Sequence, residues 1–329
     1  MLPPVRGEAI LDTNNINGIF PLRLVMSSET RVGLAILGGQ NQAKHLSAFK
    51  KVSDIRLVGV SLEGANAPRL PEGVRTFPHY SEALNNPEVQ GLVLCTPLSE
   101  RDYWIEKGAR AGKHILCSVP LAPTCKRARE IVECCRGAGV CLSVFADVIV
   151  APLKAAISRI AKKGEIGSVL FFDLKVSLPK QWLINEREGV LLLYGLPFIY
   201  LSQILGEIDS IYARTRSLGL NRPTEDVVVA QLKFKHGLEG IFQLNGLGDK
   251  EEAVVNLYGS DGVVEVRLDQ LEVSEGFECY YEDFIRVVRY GKKPVWEGVD
   301  VVSSHYFLEW IQQSARLDRE ILRKDARIQ

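Results

Sequence analysis

RVGLAILGGQNQAKHL, residues 31 to 46, joins a β-rich apolar run to a helical stretch through a glycine-rich corner. A strand, a tight turn and a helix in that order open an α/β unit, and the same alternation continues outward. IRLVGVS and a short helix around Ser81 to Leu84 come next, then GLVLCTP and a helix from about Glu100 to Ala111. HILCSVP, a helix from about Lys126 to Gly137 and VCLSVFA complete the series. Strands separated by helices at this spacing imply right-handed crossovers and a parallel sheet covered on both faces. Residues 31–147 are therefore expected to form a Rossmann-like, doubly wound dinucleotide-binding domain.

The chain changes character after a helix opened by Pro152 and closed by Gly164, a proline being well suited to a first helical turn. VLFFDLKVSL, SIYARTRS, DVVVAQLKFK, EGIFQLNG, EEAVVNLYGS and GVVEVRL follow, several alternating apolar with polar residues as a half-covered sheet does. A last helix is expected over about Ser303 to Leu322. Residues 148–329 thus read as an α+β domain with a large, mainly antiparallel sheet, suited to holding substrate and to homo-oligomer formation. Residues 1–30 lack periodicity and read as a loosely ordered leader. Met26, followed by SSETR and the first strand, is a second candidate start of translation.

Composition narrows the function classes. The chain has 329 residues, enough for two domains of ordinary size, with 46% apolar and 24% charged side chains. Its 40 basic and 40 acidic residues balance, which gives no electrostatic reason to expect nucleic acid or an anionic membrane as partner. No apolar run has the length of a membrane span and no signal peptide is visible, so the expected location is the cytoplasm. The cysteines, Cys95, Cys117, Cys125, Cys134, Cys135, Cys141 and Cys279, form no C-x-x-C pair and most sit in apolar surroundings, as buried reduced thiols do. His45, His79, His114, His236 and His305 are dispersed without metal-ligand spacing, so no metal site is expected.

In an open parallel sheet a dinucleotide lies beyond the carboxyl ends of the strands, its pyrophosphate on the first helix N-terminus. The usual fingerprint there is G-x-G-x-x-G/A. With Gly38 as first glycine, Gln40 takes the second position and Ala43 the third; with Gly39 as second, Gln42 is third. Either way one glycine role is unfilled, and a plain tight corner would look the same. Candidate cofactor contacts are Gly38, Gly39, Gln40, Asn41, Ser61, Thr96, Pro97, Ser118 and Pro120. The second strand ends VGVSLEG, so Ser61 or Glu63 can approach a ribose, and nothing in that run chooses between NAD and NADP.

The corner at Gly38, the CTP at residues 95–97, GARAGKHILCSVPLA at 108–122 and the order of the two domains together resemble the Gfo/Idh/MocA oxidoreductases. The likeness extends to KKGEIGSV (162–169), VNLYGSDGVVEV (255–266) and FIRVVRYGKKPV (284–295). The resemblance implies hydride transfer between a nicotinamide cofactor and a small molecule, most often a sugar or polyol. It also implies acid/base residues in a Glu-Lys-Pro turn and in a D-x-G-x-H segment. Here the turn is Ser118, Val119, Pro120. The second segment, GVLLLYGLPFIYL, has Leu193 at the aspartate, Pro197 at the histidine and Tyr200 at a later aspartate, while Gly195 is kept. After CTP, Leu98 and Arg101 replace the family's asparagine and histidine.

Valine moves no proton, so the family mechanism is not expected at this turn. Tyr194, Tyr200 and Lys180 are the candidate catalytic replacements, against the plainer reading of packed aromatics and a solvated lysine. Lys175 and Trp182, on a strand and loop expected to border the cleft, are the candidate substrate contacts. Three functions fit these residues. The chain is an NAD(P)-dependent oxidoreductase whose small-molecule substrate needs no protein lysine, a pseudoenzyme holding a nucleotide or metabolite without turnover, or a structural subunit of a homologous enzyme.

Overall fold

The computed structural model describes residues 31–39, 42–61, 70, 72–145, 164–195, 205–267, 277–294 and 298–326. The expected leader, the expected domain boundary at 147/148 and the helix after Pro152 lie outside them, as do Gln40, Asn41, Glu63, Pro197 and Tyr200.

The first sheet is built from β1 (Val32–Leu37), β2 (Ile55–Ser61), β3 (Arg75–Thr76), β4 (Gly91–Leu94), β5 (His114–Ser118) and β6 (Leu142–Phe145). Their order is β3-β2-β1-β4-β5-β6 with every pairing parallel, which is the doubly wound Rossmann arrangement. Helices α1 (Gln42–Lys51), α2 (Tyr80–Asn85), α3 (Leu98–Arg110) and α4 (Cys125–Gly137) link the strands. All six residues of β1 are buried, as expected of a central strand covered on both faces. The two-residue β3 is too short to have left a periodic signal. α3 begins at Leu98 rather than near Glu100, directly after Pro97.

The second sheet contains β7 (Val169–Pro179), β8 (Ile208–Arg216), β9 (Val227–Phe234), β10 (Glu239–Gly248), β11 (Glu252–Gly259), β12 (Val263–Arg267) and β13 (Ile321–Leu322). Its order is β12-β11-β7-β10-β9-β8-β13, antiparallel except where β7 meets β10. Alternation places Phe172, Leu174, Val176, Val228, Ala230, Leu232, Phe242 and Leu244 in one core. The opposite face carries Phe171, Asp173, Lys175, Val229 and Tyr258, all half-buried or exposed.

Two helices tie the halves together. α6 (Glu278–Tyr290) inserts Tyr281, Phe284 and Ile285 among Val32, Leu34, Ile36 and Val60, so a helix from late in the chain completes the cover of the Rossmann sheet. The preceding α5 (Val190–Tyr194) lies against the second core. α7 (Gly298–Leu317) has Val301 in the first core and Leu308, Trp310 and Ile311 in the second. The expected last helix over 303–322 is corrected here, since it stops at Leu317. Asp318 takes a left-handed conformation (φ 48°) and the chain turns back to pair Ile321 with Ile211. The return is fastened by Trp310 Nε1, which donates to Ile321 O at 3.1 Å, and by Ser314 Oγ, which donates to Arg319 O at 2.7 Å.

Two buried histidines make the fold acid-sensitive. His45 pairs its Nδ1 with the Tyr281 hydroxyl at 2.7 Å, and burial together with the Lys44 charge depresses its pKa to about 4. Burial alone depresses His305 to about 4. Each favours the neutral ring in the folded state, while the unfolded chain binds the proton near pH 6.5. The stabilisation is therefore complete above about pH 6.5 and is lost as pH falls towards about 4. Denaturant titrations should show stability falling with a slope that approaches about two protons in this window. His305→Leu should remove about one of them; a wild-type slope that is flat between pH 6.5 and 4 would contradict the assignment.

Candidate active site

The carboxyl ends of β1, β2 and β4 meet at Gly38. Gly38 N donates to Ser61 O at 2.9 Å, and Cys95 N donates to Leu37 O at 2.7 Å. Gly38 has φ 97°, and a Cβ there would stand 2.3 Å from Cys95 O, so both conformation and space require glycine. Gly39 is exposed beside it. The hydroxyls of Ser61 and Thr96, in residues that are 0% exposed, have no hydrogen-bond partner among the described residues. Two orphaned hydroxyls at a glycine corner, beside the switch point between β1 and β4, are the donor set a dinucleotide would satisfy. Among the candidate contacts, Gly38, Gly39, Ser61, Thr96 and exposed Pro97 gather at these strand ends, with half-buried Ser118 and buried Pro120 one strand further.

Arg101 joins the two turns. It is 3% exposed on α3, and its guanidinium donates to Thr96 O and to Pro120 O, both at 2.7 Å. A planar cation with several fixed donors satisfies two carbonyls at once, as a histidine in its place would not. The Val119–Pro120 peptide is cis. Val119 is half-buried and touches the cores of both domains, so the position of the family lysine is filled by packing. Leu98 is likewise drawn into the second core. Cys117, on the strand leading into the turn, is no nucleophile: burial drives its pKa up to about 12 despite the opposing charge of Arg101.

The second domain faces these turns with the segment after β7. Trp182 ends a short 3-10 turn (Lys180–Trp182), is 41% exposed, and stacks on Tyr194 at 6.2 Å with an interplanar angle of 27°. Tyr194 and Leu193 pack against the second core, which makes Tyr194 a packed aromatic, and Lys180 is exposed. Lys175 is a correction. It occupies the opposite phase of β7 from buried Phe172, Leu174 and Val176, so it projects from the open face of the sheet and does not border the cleft.

Charged groups not singled out from the sequence line the same segment. Arg222 donates to the carbonyls of Leu183 (2.5 Å), Glu186 (3.2 Å), Glu188 (3.3 Å) and Glu225 (3.4 Å), which fixes the loop. Burial, with the neighbouring Glu188 charge, holds the carboxyl of half-buried Glu186 on that loop above the usual carboxylate range, against the opposing pull of Arg222 and Arg101. Among the described residues no cluster has the makings of a metal site. A separate groove lined by Thr124, Glu309, Gln313, Arg316, Arg319 and Lys324 shares no residue with this cluster. Arg101→Leu should cost about 2–4 kcal/mol in equilibrium unfolding, because it strands two buried carbonyls; a change below about 0.5 kcal/mol would mean that the bridge contributes nothing to stability.

Comparison with known proteins agrees with this geometry. Residues 32–146 match the oxidoreductase family described as having an NAD-binding Rossmann fold, Gfo/Idh/MocA. The uncharacterised protein YMR315W of Saccharomyces cerevisiae is 25% identical over 262 residues, covering 73% of this chain and 75% of its own. The uncharacterised oxidoreductase ORF334 of Rhizobium meliloti is 24% identical over 161 residues, about half of each chain (48%). In fold, the chain is similar to the WlbA dehydrogenase of Bordetella pertussis, solved with NADH and UDP-GlcNAcA. That structure has a TM-score of 0.76 and 22% identity, and the match covers 89% of this chain and 98% of that one. Among the described residues no helix is long and apolar enough to cross a membrane. Residues 32–146 thus match the Gfo/Idh/MocA oxidoreductase family in its NAD-binding Rossmann fold.

Proposed function

We propose that the protein is an NAD(P)-dependent reductase of a small, electron-poor acceptor, conjugated or imine-like, whose reduction does not use the family lysine. The observation that carries this reading is the combination of a glycine corner flanked by two unpartnered hydroxyls with a silenced turn. Gly38 and the unpartnered hydroxyls of Ser61 and Thr96 stand ready for a dinucleotide, while Val119 occupies the lysine position as a packing residue. Ser61, Thr96 and Ser118 would hold the cofactor through hydroxyl hydrogen bonds, and the cofactor would supply the hydride. The exposed face of Trp182, backed by Tyr194, offers a flat apolar platform to a planar acceptor. An acceptor that already carries an electron-poor carbon needs less acid/base assistance than a polyol does, which suits a site without the lysine.

Val119 also favours a second reading, a nucleotide-binding protein without turnover. Titration with NADH and NADPH, followed by nicotinamide fluorescence, separates the two when combined with an acceptor panel. The reductase reading expects saturable binding at micromolar to sub-millimolar cofactor and oxidation with at least one conjugated carbonyl or imine. Binding without oxidation across the panel would favour the second reading; no binding up to millimolar concentrations would sink both.

A further inference from the structure

We propose that the groove between the start of α4, the end of α7 and the C-terminal turn binds a small organic phosphate, such as a phosphorylated sugar or polyol. The site is separate from the cofactor corner and does not depend on the reductase reading. The groove has a volume of about 1190 Å³, ample for a ligand of that size. Pro123 and Thr124 of the first domain form one side of it. The other side holds Arg316 at the end of α7, Arg319 in the turn that follows, and Lys324 in the 3-10 turn Arg323–Asp325. Three cations from separate segments, all exposed, thus line a single groove.

The acids nearby are engaged elsewhere. Glu309 turns its carboxylate to the N-terminus of α4, where it accepts from Cys125 N at 2.7 Å. Asp318 is held by Arg214 at 2.9 Å, Glu320 by the hydroxyl of Ser210, and Glu207 by Lys235 and Arg323. Among the described residues Arg316, Arg319 and Lys324 have no ion-pair partner, and Asp325 is the groove carboxylate left to oppose them. Like charges gathered in this way repel one another, and a phosphate monoester, with a charge of about −1.5 to −2 at neutral pH, relieves the repulsion. The guanidinium forks match phosphate oxygens with paired N–H donors, while Lys324 acts as a point charge. Neutral contacts select for an organic body. Thr124 Oγ accepts from Arg127 N at 3.2 Å, which leaves its hydroxyl proton to be donated, and the exposed amide of Gln312 can bond sugar or polyol hydroxyls. Pro123 and Leu317 offer apolar surface to the carbon skeleton. An occupant would bridge the domains, since Thr124 opens a helix of the first and Lys324 belongs to the second.

Calorimetric titration of the full-length protein with glucose 6-phosphate, glycerol 3-phosphate, glucose, inorganic phosphate and citrate tests the assignment. The tighter of the two organic phosphates should bind with a dissociation constant below about 1 mM at low salt, at least about tenfold more tightly than glucose, inorganic phosphate or citrate. Added salt should weaken it, since the cations are exposed. Arg316→Gln combined with Arg319→Gln should weaken binding by about tenfold or more, through the loss of charge-assisted hydrogen bonds. Asp325→Asn should tighten it. Because the arginines are exposed and unpaired among the described residues, the double variant should keep the wild-type melting temperature without ligand. It should lose the rise in melting temperature that the organic phosphate gives the wild type. Absence of binding by both organic phosphates at about 10 mM, or binding that the double variant leaves unchanged, would overturn the proposal. Inorganic phosphate or citrate binding as tightly as the organic phosphates would overturn the assignment of ligand class and reduce the groove to a general anion site.

Discussion

The buried guanidinium of Arg101 is the constraint on which the candidate site depends. Removing a cation from water is costly, and the cost is met only when its donors are filled. Thr96 O and Pro120 O fill two of them at 2.7 Å, which ties the end of β4 to the end of β5. Those two turns are the floor on which a nicotinamide would rest in a doubly wound domain. One side chain therefore sets the distance between them, and it does so from a helix, α3, that is anchored in the first core through Ile105 and Ala109.

Val119 follows from the same arrangement. With Arg101 holding Pro120, the side chain at 119 is presented to the boundary between the domains, where it contacts both cores. Valine joins the packing of both cores. The loop from Leu183 to Glu188 faces it, its position set by Arg222 rather than by regular secondary structure.

Much of the fold was legible because its signals are local. Strand-helix alternation, the glycine corner and the period of two along 227–234 each arise within a few residues of one another, and the parallel and antiparallel sheets follow from them. The misplacement of Lys175 was avoidable, since the phase of Phe172, Leu174 and Val176 already turns it to the other face. The importance of Arg101 was half visible, as a departure from the family pattern whose partners could not be named. Glu186 and Arg222 were not legible at all. A run such as NERE has the composition of a solvated loop, and what distinguishes these residues is a set of contacts between segments far apart in sequence. The early stop of α7 was hidden for a related reason, because the pairing of Ile321 with Ile211 outweighs the helical pattern.

The central claim is that a cofactor still lies over a turn that has lost its lysine. Hydrogen–deuterium exchange with and without saturating NADH or NADPH tests this directly, since peptide-level protection reports where the ligand sits. The account predicts slowed exchange confined to three stretches that are distant in sequence, around Gly38, Thr96 and Ser118 to Pro120. Protection elsewhere with these stretches unchanged, or no protection at saturating cofactor, would contradict it.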